Sequence, residues 1–382
     1  MFKRYFTNDV IADLTKKMVF IGGPRQIGKT TFALSLLNNG DVDNPAYLNW
    51  DFIENKERIM RGELPDPKYK LVILDEIHKY KDWRNLLKGF YDRYKLKRSF
   101  LIIGSARLDY YRRGGDSLQG RYHYYRLHPF SIKELATNAN LNDLDLLLRF
   151  GGFPEPLFDN SETSWKRWQR ERISRVIQED LLNLEKVREV SQLHLLASVL
   201  PSKVGSILSI NSLREDLKVS FETAESWVNI LENLYVCFRI SPYKNSKNSI
   251  LKLVHKEKKL YLWDWSVCGQ NIGARFENLV ASHLLKYCHY IEDTKGDYMG
   301  LYFLRDTEKR EIDFIITKNN KALFAVECKS GSHDIAPNIK YFAKKTDIPI
   351  FYQVHLDTKD YENLDYRTRV MPFNKFALEM LQ

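Results

Sequence analysis

Residues 18–37, MVFIGGPRQIGKTTFALSLL, fit G-x-x-x-x-G-K-[ST] at every fixed position from Gly23 to Thr30. Apolar residues 19–21 precede the pattern and read as a strand. An amphipathic run follows it and reads as a helix. Strand, loop and helix in that order are the context that a phosphate cradle needs. The loop of Gly23, Pro24, Arg25, Gln26, Ile27 and Gly28 must bring its backbone N–H groups, which Pro24 lacks, to phosphate oxygens. The glycines sit where a side chain would obstruct that approach. The helix start adds the positive end of its dipole. Lys29 is placed for the β- and γ-phosphates and the Thr30 hydroxyl for Mg²⁺, with Thr31 completing the contact set. ATP and Mg²⁺ are the expected cofactors.

Residues 47–50 read as a short second strand. Residues 70–76, KLVILDE, are an apolar run ending in two acids, which suits a parallel strand buried on both faces. Asp75 then fits the acid that holds Mg²⁺ through water, and Glu76 the base that orients the attacking water. Residues 99–104 form another buried strand that ends in Ser105. A polar residue there can touch the γ-phosphate or the lytic water, or simply cap a helix. Arg107, Arg112, Arg113, Arg121 and Arg126 follow, with Gly120-Arg121 just before an aromatic strand over residues 122–127.

The segments GPRQIGKTT, LVILDEIHKY, LIIGSARL and SLQGRYHYYRLHPFSIKEL, with GGFPEP at residues 151–156, resemble prokaryotic AAA+-related ATPases. In that family an AAA_14-type ATPase domain is followed by a DUF4143-type C-terminal domain. The resemblance covers essentially the whole chain. It implies an AAA+-type sheet with Ser105 as the first sensor, a position where Asn is commoner. It also implies Arg121 as an arginine finger reaching a neighbouring subunit, an interaction worth about 10³–10⁵ in rate. GGFPEP is expected to shape a lid, with no chemistry assigned to it.

Composition sets outer limits. A chain of 382 residues is long for one core, so two or three domains are expected. A net charge of +10 suits a polyanionic partner, nucleic acid before anionic membrane. The N-terminal residues lack the apolar core of a secretory signal, and no run reaches a membrane span. Cys237, Cys268, Cys288 and Cys328 lie far apart without C-x-x-C spacing, which reads as reduced thiols in a cytoplasmic protein.

In the middle, residues 165–190 read as a charged helical stretch burying Ile173, Val176, Ile177, Leu181 and Leu184. Residues 192–234 read as three short helices, the second capped by Ser212 or Asn211 and the third burying Ala224, Trp227, Ile230, Leu231 and Leu234. Strands over 236–241 and 250–254 complete a winged-helix pattern. Its would-be recognition helix carries Glu222, Glu225 and Glu232 and no Lys or Arg, which disfavours reading of a major groove. Lys244, Lys247, Lys252, Lys256, Lys258 and Lys259 cluster in the hairpin instead. DNA contact is therefore expected at phosphates and independent of sequence.

The last third holds a helix over residues 272–287, with Phe276, Leu279, Val280 and Leu284 inward and Glu277 beside them. Strands follow at 301–305, 311–317 (EIDFIIT), 322–329 (ALFAVECK), 348–354 and 370–373, and a terminal helix at 376–381. Asp313 with Glu327-Cys328-Lys329 resembles the signature of PD-(D/E)xK nucleases, and Glu277 the accessory acid of their first helix. Residues two apart on a strand share a face, so Glu327 and Lys329 point together. Asp313 and Glu327 could chelate Mg²⁺ with the Cys328 carbonyl, and Lys329 could hold the attacking water. A hairpin sets Asp313 opposite Glu327 only if paired residue numbers sum to 640, which calls for an odd loop such as 318–322. A four-residue loop, 318–321, would put Asp313 opposite Val326 and on the wrong face.

The expected architecture is thus α/β and multidomain. A P-loop NTPase sheet of AAA+ type occupies 1–135, a helical lid and winged-helix-like domain 136–260, and a restriction-endonuclease-like domain 261–382. The expected activity is Mg²⁺-dependent ATP hydrolysis acting on DNA by a homo-oligomer, a ring or partial ring, with a metal-dependent nuclease site in the tail. The competing reading is an ATP-dependent switch whose C-terminal domain only binds a partner or DNA. A surface-membrane role is disfavoured because no long basic amphipathic helix is present.

Overall fold

The computed structural model describes residues 3–38, 40–104, 118–135, 141–177, 190–243, 257–269, 271–331 and 334–381. They fall into two compact units, one ending at His128 and one beginning at Pro129. Breaks after residues 135 and 260 are what the sequence suggests. Among the described residues the helical middle instead belongs to the same unit as the C-terminal strands.

The first unit is a five-stranded parallel sheet. Its strands are β1 (Met18–Gly22), β2 (Tyr47–Asn49), β3 (Leu71–Asp75), β4 (Ser99–Ile103) and β5 (Tyr122–Arg126), in the order β2-β3-β4-β1-β5. Helices α1 (Thr7–Leu14), α2 (Lys29–Ser35), α3 (Ile53–Met60) and α4 (Trp83–Tyr94) accompany it. All of β1 is buried, as its unbroken apolar run requires for a strand covered on both faces. Ile102 of β4 pairs with Phe20 of β1 on one side and Leu74 of β3 on the other. The phosphate-loop strand and the strand ending in Asp75 therefore flank a common neighbour, and their carboxyl ends open on one edge, where ligands of parallel sheets gather.

The second unit opens with α5 (Ile132–Leu135), α6 (Leu141–Phe150), α7 (Pro154–Asp159), α8 (Glu162–Arg175), α9 (Val190–Val199), α10 (Ile210–Leu217) and α11 (Phe221–Asn233). An eight-stranded mixed sheet follows in the order β12-β13-β11-β10-β9-β8-β6-β7. Its strands are β6 (Cys237–Pro242), β7 (Lys259–Leu262), β8 (Met299–Arg305), β9 (Glu311–Lys318), β10 (Lys321–Lys329), β11 (Phe351–His355), β12 (Tyr361–Asn363) and β13 (Thr368–Pro372). Helices α12 (Ile272–Lys295), α13 (Pro337–Lys345) and α14 (Phe373–Met380) complete it.

The three helices expected over 192–234 are present, and Ala224, Trp227, Ile230, Leu231 and Leu234 are all buried. The cap of α10 is corrected: Ser209, not Asn211 or Ser212, is the N-cap, and its side chain accepts the Ser212 N–H. The strand expected at 250–254 lies outside the described residues, as do Leu181, Leu184, Lys244, Lys247, Lys252 and Lys256. The described partners of β6 are β8 on one side and β7 on the other, with Cys237 opposite Leu262 and Ile240 opposite Lys259 in the β7 pairing.

GGFPEP has a packing explanation. A Cβ on Gly151, whose φ is +78°, would stand 2.5 Å from Asp264 Oδ1, and one on Gly152 would stand 2.7 Å from the Phe130 carbonyl oxygen and the Trp265 ring. Phe153 is fully buried beyond them, and Pro154 opens α7. Trp265 is anchored to the same seam by its Nε1–H, which donates to the Leu147 carbonyl at 2.6 Å.

Candidate nucleotide site and a lysine-filled acid pocket

The loop between β1 and α2 uses backbone conformations that few residues adopt. Gly23, Gln26 and Gly28 have φ of +145°, +59° and +90°. At Gly23 the obstruction is specific: a Cβ would lie 2.5 Å from the carbonyl oxygen of Leu127, just past β5. The glycine is thus required by the neighbouring strand's exit, whatever the loop binds. Arg4, buried ahead of α1, braces the loop by donating to the Ile27 carbonyl at 3.2 Å and to the His128 carbonyl. Lys29 Nζ folds over the loop and donates to the Gly23 and Pro24 carbonyls at 3.0 and 2.7 Å.

Across the sheet edge, Asp75 is buried at the end of β3. Its Oδ2 accepts from the Thr30 hydroxyl at 2.9 Å and from the Tyr47 hydroxyl at 2.7 Å. Burial pushes the Asp75 carboxyl above its ordinary range, against the pull of Tyr47, Thr30 and Lys29. Glu76 is likewise raised, by burial first and by Asp75 second. Its backbone is left-handed, φ +55°, a costly conformation for a glutamate. Glu76 Oε2 lies 3.2 Å from His78 Nε2 and 3.8 Å from Lys79 Nζ. A hydroxyl and a carboxylate held side by side beside a phosphate loop are hard oxygen donors, so the set fits a magnesium–triphosphate group.

Ser105, Arg107, Arg112 and Arg113 lie outside the described residues. Arg121 sits just before β5, and its Nε donates to Asp92 Oδ1 on α4 at 3.1 Å, with a second bond from Nη2 to Oδ2 at 3.4 Å. Tyr47 and Asn49 escaped the sequence reading. Their signal is their spacing: two apart on β2, whose register sets Asn49 opposite Asp75.

In the second unit the tail residues converge on a pocket. Glu327 and Lys329 share a face, as expected, with Lys329 Nζ 2.9 Å from Glu327 Oε1. Asp313 of β9 accepts the Cys328 N–H at 2.8 Å. The register behind this contact is unexpected in form. Asn319 and Asn320 make a two-residue turn with φ of +50° and +65°, so Lys318 pairs with Lys321, a sum of 639. A bulge between Ala322 and Phe324 then inserts one residue, and Val326 pairs with Phe314, a sum of 640. The bulge, not an odd loop, brings Asp313 onto the face of Glu327.

Lys259 is the main correction. The sequence reading assigns it to a solvated, phosphate-contacting hairpin. It is 2 % exposed, and its Nζ lies 2.5 Å from Glu311 Oε1, 3.4 Å from Glu277 Oε1 and 3.8 Å from Asp313 Oδ1. The cause is position: all four residues of β7 are buried, so a lysine there must bury its charge and find acids. Burial opposes the charged form, yet Glu277, Asp313 and Glu311 outweigh it and hold the amine protonated. Tyr261 adds a 2.7 Å bond to Glu277 Oε1. Arg305 approaches Glu311 Oε2 at 3.5 Å. Burial and the Asp313 charge raise the Glu277 carboxyl to about 7. The same two causes raise Glu327 to about 8, and its buried Oε2 has no hydrogen-bond partner.

This donor set does not fit the Mg²⁺ of a nuclease. The space between Glu277, Glu311 and Asp313 already holds an ammonium. Asp313 spends one oxygen on a backbone amide. Among the described residues no three His, Cys, Asp or Glu side chains are arranged to hold a metal ion. Glu311 was missed in the sequence, although it sits two residues before Asp313 on one strand face.

No described helix is long and apolar enough to cross a membrane, and none of the four cysteines forms a disulfide among the described residues. Among known families, the AAA domain matches residues 15–136, one domain of unknown function (DUF8612) matches 141–277, and another (DUF4143) matches 272–376. The chain is similar to the uncharacterized protein MJ1544 of Methanocaldococcus jannaschii, 23 % identical over 363 residues, covering 87 % of this chain and 79 % of the relative. It is also similar to the uncharacterized protein Rv2008c of Mycobacterium tuberculosis, 24 % identical over 267 residues, covering 67 % of this chain and only 56 % of the relative. Among solved structures, the Holliday junction branch migration motor RuvB of Thermotoga maritima aligns with 62 % of this chain and 90 % of its own, at 14 % identity and a TM-score of 0.30. With the phosphate loop, the parallel sheet and the Thr30–Asp75 pair in place, the chain carries an N-terminal segment that matches the AAA domain and a C-terminal segment that matches the DUF4143 domain.

Proposed function

We propose that this protein is a cytoplasmic, Mg²⁺-dependent ATPase that acts on DNA as a homo-oligomer. The carrying observation is the part-buried Thr30–Asp75 pair beside the Gly23–Lys29 loop. In this reading residues 23–31 cradle the triphosphate, Lys29 neutralises its β- and γ-oxygens, and Thr30 and Asp75 hold Mg²⁺. Bound Mg²⁺ supplies positive charge to the leaving phosphate oxygens. Glu76 orients the lytic water, Ser105 reports on the γ-phosphate, and Arg121 completes a neighbour's site. Support for DNA comes from the +10 charge and the lysine-rich segment around residues 244–258, which suit contacts to phosphates rather than bases.

In the same reading the middle residues form a winged-helix-like module and the C-terminal domain, nuclease-like in fold, grips without cutting. Lys259 favours this over cleavage by Asp313, Glu327, Lys329 and Glu277, because it holds the charge that a catalytic metal would bring. The test is ATP turnover by the full chain with single-stranded, duplex and branched DNA, beside metal-dependent cleavage assays. DNA should raise turnover severalfold, Lys29→Ala should abolish it, and no cleavage should appear. A chain that neither binds DNA at low salt nor responds to it would overturn the DNA half. Cleavage lost in Asp313→Ala would overturn the gripping half.

A further inference from the structure

We propose that Lys259 is a built-in cation of the pocket formed by Glu277, Glu311 and Asp313, which therefore rejects divalent metal and becomes a divalent-cation site once the ammonium is removed. The geometry carries this. One nitrogen stands within 3.8 Å of three carboxylates from two elements, Glu277 of α12 and Glu311 and Asp313 of β9. The lysine reaches them from β7, which is buried along its length and pinned by pairing to β6. It cannot swing out to solvent as a surface lysine would.

Charge decides between ammonium and metal. Glu277, Glu311 and Asp313 face Lys259 and Arg305, and Glu327 faces Lys329. Four acids against three fixed cations leave one negative charge at most. A divalent ion entering this pocket would meet a fixed ammonium a few ångströms away in a poorly solvated space, where like charges repel strongly. Replacing Lys259 by an apolar side chain of similar length inverts the balance. Three carboxylates then share a half-buried pocket with Arg305 as their remaining counter-charge, at the Glu311 end, and a divalent ion is the natural compensation.

The probe is Mn²⁺, counted by the spin-resonance signal of free ion against the nucleotide-free full chain. Comparing variants cancels any ion taken up elsewhere. Lys259→Met should bind one more Mn²⁺ per chain than the native protein, with at least about tenfold higher affinity at that site. It should also gain thermal stability in Mn²⁺ that the native chain does not. Lys259→Met/Asp313→Asn should lose the extra ion, and Lys259→Arg should never acquire it. Asp313→Asn alone should leave the native stoichiometry unchanged. If that single variant loses a bound ion, the native pocket holds metal and the proposal falls, even should Lys259→Met fail to fold. A folded Lys259→Met that takes up no further ion overturns it equally.

Discussion

The Thr30 hydroxyl, in the first turn of α2, donates to Asp75 Oδ2 at the end of β3, and Tyr47 donates to the same oxygen. Two neutral donors oppose the burial that raises this carboxyl above its ordinary range. Tyr47→Phe removes one of them. The Asp75 carboxyl should rise further, so the acid limb of turnover against pH should move to higher pH. At limiting Mg²⁺, turnover should fall about tenfold, the cost of one hydrogen bond to a charged group, and recover as Mg²⁺ is raised. An unchanged pH profile would show that Tyr47 does not tune this acid.

Gly23 is fixed by the carbonyl of Leu127 rather than by a ligand. Gly23→Ala should therefore destabilise the protein without nucleotide, by about 2–4 kcal/mol from the clash and the left-handed backbone together. Gly62→Ala is the control: φ is +71° there too, but nothing lies within 4 Å of its Cβ, so only about 1 kcal/mol of backbone strain is expected. Urea unfolding of both variants separates the contributions. Equal losses would remove the Leu127 contact from the explanation.

How far the chain could be read in advance depends on whether neighbours in sequence carry the information. The strands β1, β3 and β4 were legible because each is a continuous apolar run, and Asp75 because it ends one. That β4 lies between the other two is a long-range pairing, which no local pattern encodes. Helix α13 was overlooked, although Pro337 opens it and Ile339, Phe342 and Ala343 give its buried face at helical spacing. The Asn319-Asn320 turn was legible in kind, but the bulge that follows it is a defect of pairing rather than of composition. Lys259 was read by charge, as one more lysine of a basic run. Its meaning comes from Leu260, Tyr261 and Leu262 after it, which mark a buried strand, and from acids between about 20 and 50 residues later that no window joins to it.

Arg121 is held by Asp92 of its own unit in a two-bond pair that is partly exposed. An arginine that serves a neighbouring copy must give up that pair, so its action should be read in trans. Arg121→Ala should lose on the order of 10³ in turnover while nucleotide binding stays within a few fold. Asp92→Asn should keep turnover or raise it. Mixing Arg121→Ala with Lys29→Ala chains should restore part of the activity, since each dead chain supplies what the other lacks. No recovery on mixing, in chains shown to associate, would confine Arg121 to a structural role in its own subunit.

Glu327 gives the second unit a pH dependence of definite sign. Its folded carboxyl is raised to about 8, from burial first and the Asp313 charge second. Below the ordinary carboxylate range both folded and unfolded chains are protonated, and nothing is lost. As pH rises past that range the unfolded chain releases its proton while the folded one keeps it. Stability then declines, by up to about 1.4 kcal/mol per pH unit, until the folded acid also ionises near pH 8. Glu277, raised to about 7 for the same reasons, adds a slope of the same sign. Glu327→Gln keeps the shape and an oxygen for Lys329 but cannot ionise. Its stability relative to the native chain should therefore grow steadily from pH 5 to pH 8 and level off above, the slope due to Glu277 being common to both proteins and cancelling in the difference. Melting curves of the two proteins across that range measure the difference directly. A difference independent of pH would mean that Glu327 is ionised in the folded chain, with Lys329 holding its charge.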